Sequence, residues 1–140
     1  MKLDNKDHRI IEALQDNSRQ SIRDLAKKLK IRPSTVHVRI QKLIKEGVIE
    51  KFTLKLNNKA IGESFIVFMF IATEKIIPDI AFNSKHVKEV FGITGEYDLL
   101  LKLKFKDIEE FNTFILKFRK DYGLKKTLTQ IVTANVKEEI

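Results

Sequence analysis

The charges and the phenylalanines are distributed unequally along this chain, and that division constrains its fold more than any other feature. Residues 1–62 carry ten lysines and five arginines against seven acidic residues, a net charge of +8. Residues 63–140 carry twelve basic and twelve acidic residues, and all ten phenylalanines lie at or after Phe52. We therefore expect a basic domain at 1–54 that meets a polyanion, a linker at 55–63, and a neutral, Phe-rich domain at 64–140.

Composition excludes several classes of protein. With 43% hydrophobic and 33% charged residues in 140, the chain can bury a core. The absence of cysteine excludes disulfides, thiolate zinc sites and cysteine nucleophiles. No His-x-x-x-His spacing, phosphate loop or nucleophile–base pair occurs, so we predict no catalytic residue, metal or cofactor. The longest apolar stretch, Phe65–Ala72, is far shorter than the ~20 residues of a membrane helix, which predicts a soluble, cytoplasmic protein without a membrane partner.

The basic domain has the start and stop signals of three helices. Asp4 can cap the first helix and Ser21 the second, each with an aspartate three residues later. Pro33 suits the first position of a third helix, which we expect to run to about Glu46, where Gly47 stops it. The link between the second and third helices is as short as a helix-turn-helix requires.

The two sides of the third helix differ in chemistry. At ~100° per residue, one side is apolar and predicted to be buried: Val36, Ile40, Leu43 and Ile44. The opposite side carries short polar residues, a valine and lysines: Ser34, Thr35, Val38, Gln41, Lys42 and Lys45. Such side chains can hydrogen-bond base edges, contact a thymine methyl and contact phosphate. An ordinary solvated face has the same pattern, but the +8 charge favours a helix that reads the major groove of double-stranded DNA.

Two residues flank this polar side. Arg39 lies beside the apolar stripe and either contacts phosphate, which we favour, or pairs with an acidic residue of the first helix. His37 is predicted to be exposed near the DNA backbone rather than to bind a metal.

The second domain reads as alternating strands and helices, in the order strand, helix, strand, strand, helix, strand: Ser64–Thr73, Pro78–Ser84, Val87–Thr94, Asp98–Lys106, a helix capped by Asp107 and Glu110, and Thr127–Val136. This is the ferredoxin-like βαββαβ order, so we expect an α+β protein. The fold leaves one face of its sheet without helices, and a bare face in a Phe-rich domain predicts a homodimer interface.

These residues occur in an order and spacing that resembles the Lrp/AsnC family of prokaryotic transcription regulators over nearly the whole chain. The motifs that carry the likeness include Leu3-Asp4-x-x-Asp7-x-x-Ile10-Ile11, Pro33-Ser34-Thr35-Val36-x-x-Arg39-Ile40, Thr94-Gly95-Glu96-Tyr97-Asp98-Leu99 and Thr127-x-Thr129-x-Ile131-Val132. The resemblance implies a winged-type helix-turn-helix domain joined to a ferredoxin-like domain for effector binding and oligomerisation. It also implies dimers that assemble further, to tetramers or octamers.

The resemblance also implies a site for a small effector, usually an amino acid, between subunits at a Gly-x-x-Asp turn. Carried over, this site comprises Thr94, Gly95, Tyr97 and Asp98. A carboxylate can pair with an α-ammonium group, and N–H groups beside a glycine can bind an α-carboxylate. The alternative is that Asp98 only structures a tight turn before a strand.

Two features depart from the family pattern. Family members usually have a small capping residue before the third helix, where this chain has Arg32. Either Ser34 takes over the cap and shortens the helix, or Arg32 contacts phosphate and the cap is weaker. The first helix of the second domain is also short and is interrupted by Asn83-Ser84.

The function we predict is a sequence-specific DNA-binding transcription regulator, with a possible amino-acid effector. One alternative is a metabolite-sensing module whose basic helices bind DNA without sequence preference, as an architectural protein does. An enzyme of amino-acid metabolism is a third reading, which the absence of a catalytic constellation argues against.

Overall fold

The computed structural model describes all 140 residues, and the chain divides into two compact units, Met1–Leu54 and Lys55–Ile140. Each unit has its own hydrophobic core. None of the helices combines the length and the hydrophobicity needed to cross a membrane.

The first unit contains the three predicted helices, α1 (Asn5–Asp16), α2 (Ile22–Leu29) and α3 (Pro33–Lys45). Its core is built from one face of each helix: Ile10, Ala13, Leu14, Leu25, Ala26, Leu29, Ile31, Val36, Ile40 and Leu43. Ile44, which the periodicity also placed on the buried side, is 41% exposed, so that prediction was wrong. The two neighbouring helices cover a narrower arc of α3 than the sequence pattern indicated.

The ends of these helices show which capping predictions hold. Asp4 and Asp7 form a complete capping box, whereas Ser21 accepts the N–H of Asp24 without a return bond. Helix α3 starts at Pro33 with Arg32 in the capping position and no side-chain hydrogen bond there. Ser34 therefore does not take over the cap, and α3 keeps its full length with a weaker start.

The second unit contains four strands, β1 (Phe65–Ala72), β2 (Val87–Gly92), β3 (Leu99–Phe105) and β4 (Lys126–Ile131), and the helix α4 (Ile108–Tyr122). The strands form one antiparallel sheet in the order β2-β3-β1-β4. This confirms the α+β class and the ferredoxin-like order. The helix predicted at Pro78–Ser84 is only a 3₁₀ turn over Asp79–Phe82, a form that suits segments of three or four residues.

One face of the sheet packs against α4. Its buried residues alternate along β1 and β3 and meet one stripe of the helix: Val67, Met69, Ile71, Leu101, Leu103, Phe105, Phe111, Ile115 and Phe118. Asp107 caps α4 by accepting the N–H of Glu110 at 2.9 Å, as predicted. The Glu110 carboxylate reaches back to the N–H of Lys106, one residue before the expected position.

The other sheet face, which we term the open face, carries the remaining alternate residues. The β1–β3 register pairs Phe68 with Lys102 and Phe70 with Leu100. Because residues two apart on a strand share a face, both phenylalanines lie on the open face, where the sequence alone left the choice undecided.

The edge strand β2 contains an irregularity. Its register with β3 shifts between Val87 and Glu89, which marks a β-bulge at Lys88. The ammonium group of Lys88 lies 2.7 Å from the carboxylate of Glu63, so the bulged residue is held by an ion pair.

Candidate nucleic-acid interface and effector turn

The polar side of α3 is accessible, as a helix that reads a groove requires. Val38 is 63% exposed, whereas Val36, Ile40 and Leu43 on the other side of the helix are buried. Most of its polar neighbours are exposed as well, and Thr35 is half-buried. Arg32 and His37 are also exposed, as was predicted for His37.

A groove of about 460 Å³ runs along this side of α3. It brings together five of the predicted DNA-binding residues with the start of the chain: Ser34, Thr35, Val38, Arg39 and Lys42, together with Met1, Lys2, Asp4 and Asp7. Arg32, His37, Gln41 and Lys45 do not line it. Helix periodicity describes one helix and not what packs beside it. It therefore did not predict that Lys2 and Asp4 lie beside the polar side of α3.

Arg39 joins α3 to the first turn of α1. Its Nη1 lies 2.6 and 2.7 Å from the two carboxylate oxygens of Asp4 and 3.0 Å from Oδ1 of Asp7. Of the two roles considered for Arg39, the ion pair with the first helix is therefore present in the fold. All three contacts use Nη1, so Nη2 and Nε can still donate to a phosphate, and that contact stays a prediction.

This cluster changes the acid–base properties of its members. The hydrogen bond from Arg39, followed by the bond from the backbone N–H of Asp7, lowers the pKa of Asp4 from 3.8 to about 2. The hydrogen bonds to the carboxylates of Asp4 and Asp7 raise the pKa of Arg39 above its ordinary value. Asp4 therefore carries a negative charge beside the polar side of α3 at any pH well above 2.

The residues of the predicted effector site lie together in the turn between β2 and β3. Gly95 has φ of +106°, a conformation that side chains disfavour. The Oδ2 atom of Asp98 accepts the N–H of Thr73 at 2.8 Å, and the N–H of Asp98 donates to the carbonyl of Ile71 at 2.8 Å. Asp98 therefore does brace the turn against the end of β1, while its second oxygen has no such bond.

Tyr97 has neighbours that no sequence pattern predicted. Its ring lies 5.6 Å from that of Phe70, measured between centroids. The ammonium group of Lys126 lies 4.9 Å from the Tyr97 centroid and also pairs with Glu96. This pairing raises the pKa of Lys126. The turn thus presents an aromatic ring covered by a cation that is itself paired with a carboxylate.

Comparison with known proteins assigns each unit to a family. The family model described as winged helix-turn-helix DNA-binding matches residues 3–50, and the Lrp/AsnC ligand binding domain matches residues 82–140. The chain is 38% identical to an HTH-type transcriptional regulator of Pyrococcus horikoshii, over 99% of this chain and 97% of the relative.

Solved structures show the same fold. B. subtilis LrpC is 26% identical with a TM-score of 0.86, covering 98% of this chain and 99% of that one. A transcriptional regulator of Neisseria meningitidis, solved as a complex with L-methionine, is 23% identical with a TM-score of 0.88, covering 98% and 94%. The fold, the exposed polar side of α3 and the extent of these matches lead to one conclusion: the chain belongs to the Lrp/AsnC family of helix-turn-helix transcription regulators.

Proposed function

We propose that this regulator binds double-stranded DNA in a sequence-specific manner, with α3 in the major groove. The observation that carries the proposal is the exposure of Val38 among short polar and cationic side chains. An apolar side chain in that position fits a thymine methyl group, and the amide of Gln41 fits an adenine edge. Relatives named as transcriptional regulators support this role, and we assign the chain no catalytic one.

A footprint on the DNA upstream of its own gene, with random duplex as competitor, tests the proposal. Specific binding survives an excess of random DNA, whereas an architectural protein without sequence preference is competed away. Gln41→Ala should change the preference at one base-pair position by about 1–3 kcal/mol. A uniform loss of affinity across all sequences would instead place Gln41 at the backbone.

The cationic residues are proposed to contact phosphates. Alanine at Arg32, Lys42 or Lys45 should weaken binding to every sequence and reduce the salt slope by about one unit each. Lys137→Ala is the matched control, because Lys137 is an exposed lysine of the second unit that contacts only Glu139. An unchanged slope removes the substituted residue from the set of phosphate contacts.

The second unit is proposed to bind a small amino-acid effector at the turn of Thr94, Gly95, Tyr97 and Asp98. The match to a ligand binding domain supports this, as does the neighbour solved with L-methionine. Calorimetric titration with a panel of amino acids tests it, using Asp98→Asn, which keeps an oxygen for Thr73 but loses the charge. Equal affinity in wild type and variant would leave Asp98 with only its structural role.

The open face is proposed to pair two copies of the chain. One helix-turn-helix makes few base contacts, so operator-grade affinity requires two copies held about 34 Å apart, one helical turn of DNA. Phe70→Asp should then dissociate the dimer and abolish specific binding while the first unit stays folded, whereas Asp98→Ala should stay dimeric. A monomeric variant that still binds tightly contradicts this. By the family resemblance, we also propose that the dimers assemble further, to tetramers or octamers. We propose that the protein is cytoplasmic, because the DNA it would bind lies in that compartment.

A further inference from the structure

A buried ionic cluster lies on the open face, away from both sites described above. The carboxylate of Glu138, near the C-terminus, lies 2.5 Å from Nζ of Lys102 and 3.0 Å from Nζ of Lys104. It also accepts hydrogen bonds from the amides of Asn58 at 2.8 Å and Asn135 at 3.2 Å. Asn58 in turn accepts from Lys104 at 2.7 Å, so every member of the cluster has a partner.

The burial of this cluster is its unusual property. The side chains of Glu138, Lys102 and Lys104 are only 10–12% exposed. Charged groups are found in such surroundings only when they are paired, because the loss of hydration is otherwise uncompensated. The pKa of Glu138 is held far below its usual range, first by the hydrogen bond from Lys102, so this carboxylate stays ionised.

The segment that delivers Glu138 covers one half of the open face. After β4, the N–H of Val132 donates to the carbonyl of Ile66 at 2.9 Å, and the following residues continue without regular structure. Ile66 faces the open side, yet it is buried. The other half stays accessible: Phe91 is 51% exposed and Leu128 is 42% exposed.

The charges on this face matter because identical chains that pair about a two-fold axis present the same patch to each other. Two lysines of β3 point to this face, and the β2–β3 register places one carboxylate, Glu89, across from Lys102. Glu138 supplies the second negative charge. Without it, two copies would bring uncompensated positive charges into the same desolvated interface, which opposes association.

We propose that Glu138 fastens the C-terminal segment 132–140 over the lysine half of the open face, and that this neutralisation prepares the face to pair with a second copy of the chain. The proposal rests on the pairing put forward under Proposed function. In this proposal Glu138 is a positioning residue. It holds residues 132–140 over the sheet of its own chain, and the accessible apolar half of the open face then packs against the same surface of the second copy.

The experiment compares Glu138→Gln with the matched control Glu139→Gln in the full chain. Glu139 is the neighbouring glutamate, is exposed and pairs only with Lys137. Light scattering over a concentration series gives the dimer dissociation constant, and hydrogen exchange of residues 132–140 reports whether the segment is closed. We expect Glu138→Gln to weaken the dimer by at least about tenfold and to speed exchange in the segment, and Glu139→Gln to change neither.

A third variant, in which Lys102, Lys104 and Glu138 are all replaced by methionine, covers the case in which Glu138→Gln does not fold. With no buried charge left, this variant should fold and dimerise, since an apolar replacement of a buried ionic cluster is often neutral. A folded but monomeric triple variant overturns the proposal. If Glu138→Gln dimerises as strongly as the wild type, the role proposed for Glu138 is wrong but the pairing of two copies can stand. If the wild-type chain stays monomeric, both proposals are wrong.

Discussion

The two units of this regulator each contain an ionic cluster, and the clusters are inverse arrangements. In the first unit, one guanidinium, that of Arg39, lies between the carboxylates of Asp4 and Asp7. In the second, one carboxylate, that of Glu138, lies between two ammonium groups. The first cluster is partly open to solvent, with the Asp4 side chain 55% exposed, whereas the second is buried throughout.

This difference indicates different tasks. A solvent-exposed pair contributes little to stability and responds to salt and to added phosphate. A buried pair is sensitive to the loss of either partner, because the remaining charge is left without compensation. We therefore expect the Arg39 cluster to be adjustable when DNA approaches and the Glu138 cluster to be a fixed part of the fold.

The largest effect is expected at the buried cluster. Glu138→Gln should lower the free energy of unfolding of the second unit by about 3 kcal/mol, because two lysines lose their common partner. Urea unfolding, followed by a probe in the second unit, measures this loss. Glu139→Gln, in an exposed position, should stay within about 0.5 kcal/mol of wild type. Equal losses in the two variants would mean that the buried cluster is energetically no different from a surface pair.

A smaller loss is expected at the buried member of the first cluster. Asp7→Ala removes one contact to Arg39 and one half of the capping box, and should destabilise the first unit by about 2 kcal/mol. Asp24→Ala is the control, because Asp24 gives Ser21 only its backbone N–H. Thermal unfolding monitored by circular dichroism separates the two variants. If Asp24→Ala is as damaging as Asp7→Ala, the side-chain contacts of Asp7 add nothing to the cap.

Asp4, the exposed member of the first cluster, should affect how the stability of the fold depends on pH. The folded-state pKa of Asp4 is about 2, against an ordinary 3.8, so the group stabilises the folded chain when ionised. That contribution is present above about pH 4 and is lost as the pH falls toward 2. Acid titration of stability should therefore be shallower in Asp4→Asn than in wild type. Asp16→Asn is the matched control, because it removes the charge of an exposed aspartate 3.9 Å from Lys28 and outside this cluster.

The smallest effect concerns DNA affinity. Asp4 places a negative charge in the groove beside α3, so Asp4→Asn should tighten binding to all sequences by roughly twofold at low salt, with the gain fading as salt is added. Electrophoretic mobility shifts at two ionic strengths measure this change. Glu12→Gln, farther along α1 and outside this groove, should leave the affinity unchanged. A gain that persists at high salt would point to rearrangement of Arg39 instead of relief of repulsion.

Local rules predicted most of the fold. The caps at Asp4, Ser21 and Asp107, and the apolar periodicities between them, were sufficient for the helices α1, α2, α3 and α4. Alternation along β3 predicted which of its residues meet α4 and which reach the open face. Strand β1 is apolar on both faces, so only its register with β3 shows that Phe68 and Phe70 lie on the open face. The exposure of Val38 followed from the 100° rotation per residue, which needs no tertiary information.

The partners in the two ionic clusters could not be predicted in the same way, and for Arg39 a phosphate and an acidic residue of the first helix were left as alternatives. Arg39 lies 35 residues from Asp4 in sequence, and Asn58 lies 80 residues from Glu138. No periodicity links such positions, and the segment after β4 has no repeating pattern that would place it over the sheet. The predicted strand Thr127–Val136 also ends early, at Ile131. The residues proposed to contact DNA and effector stay predictions, since groove and turn geometry supports them without a bound partner.

The bulge in β2 has a consequence for how copies of this chain meet. An edge strand displays unpaired N–H and C=O groups, which can template the addition of a further strand from another molecule. A bulge with a charged residue interrupts that template, and here Lys88 is held in place by Glu63. The β2 edge of the sheet is therefore poorly suited to seed a fibre in which molecules add strand by strand. The addition of strands from further molecules is therefore disfavoured at this edge.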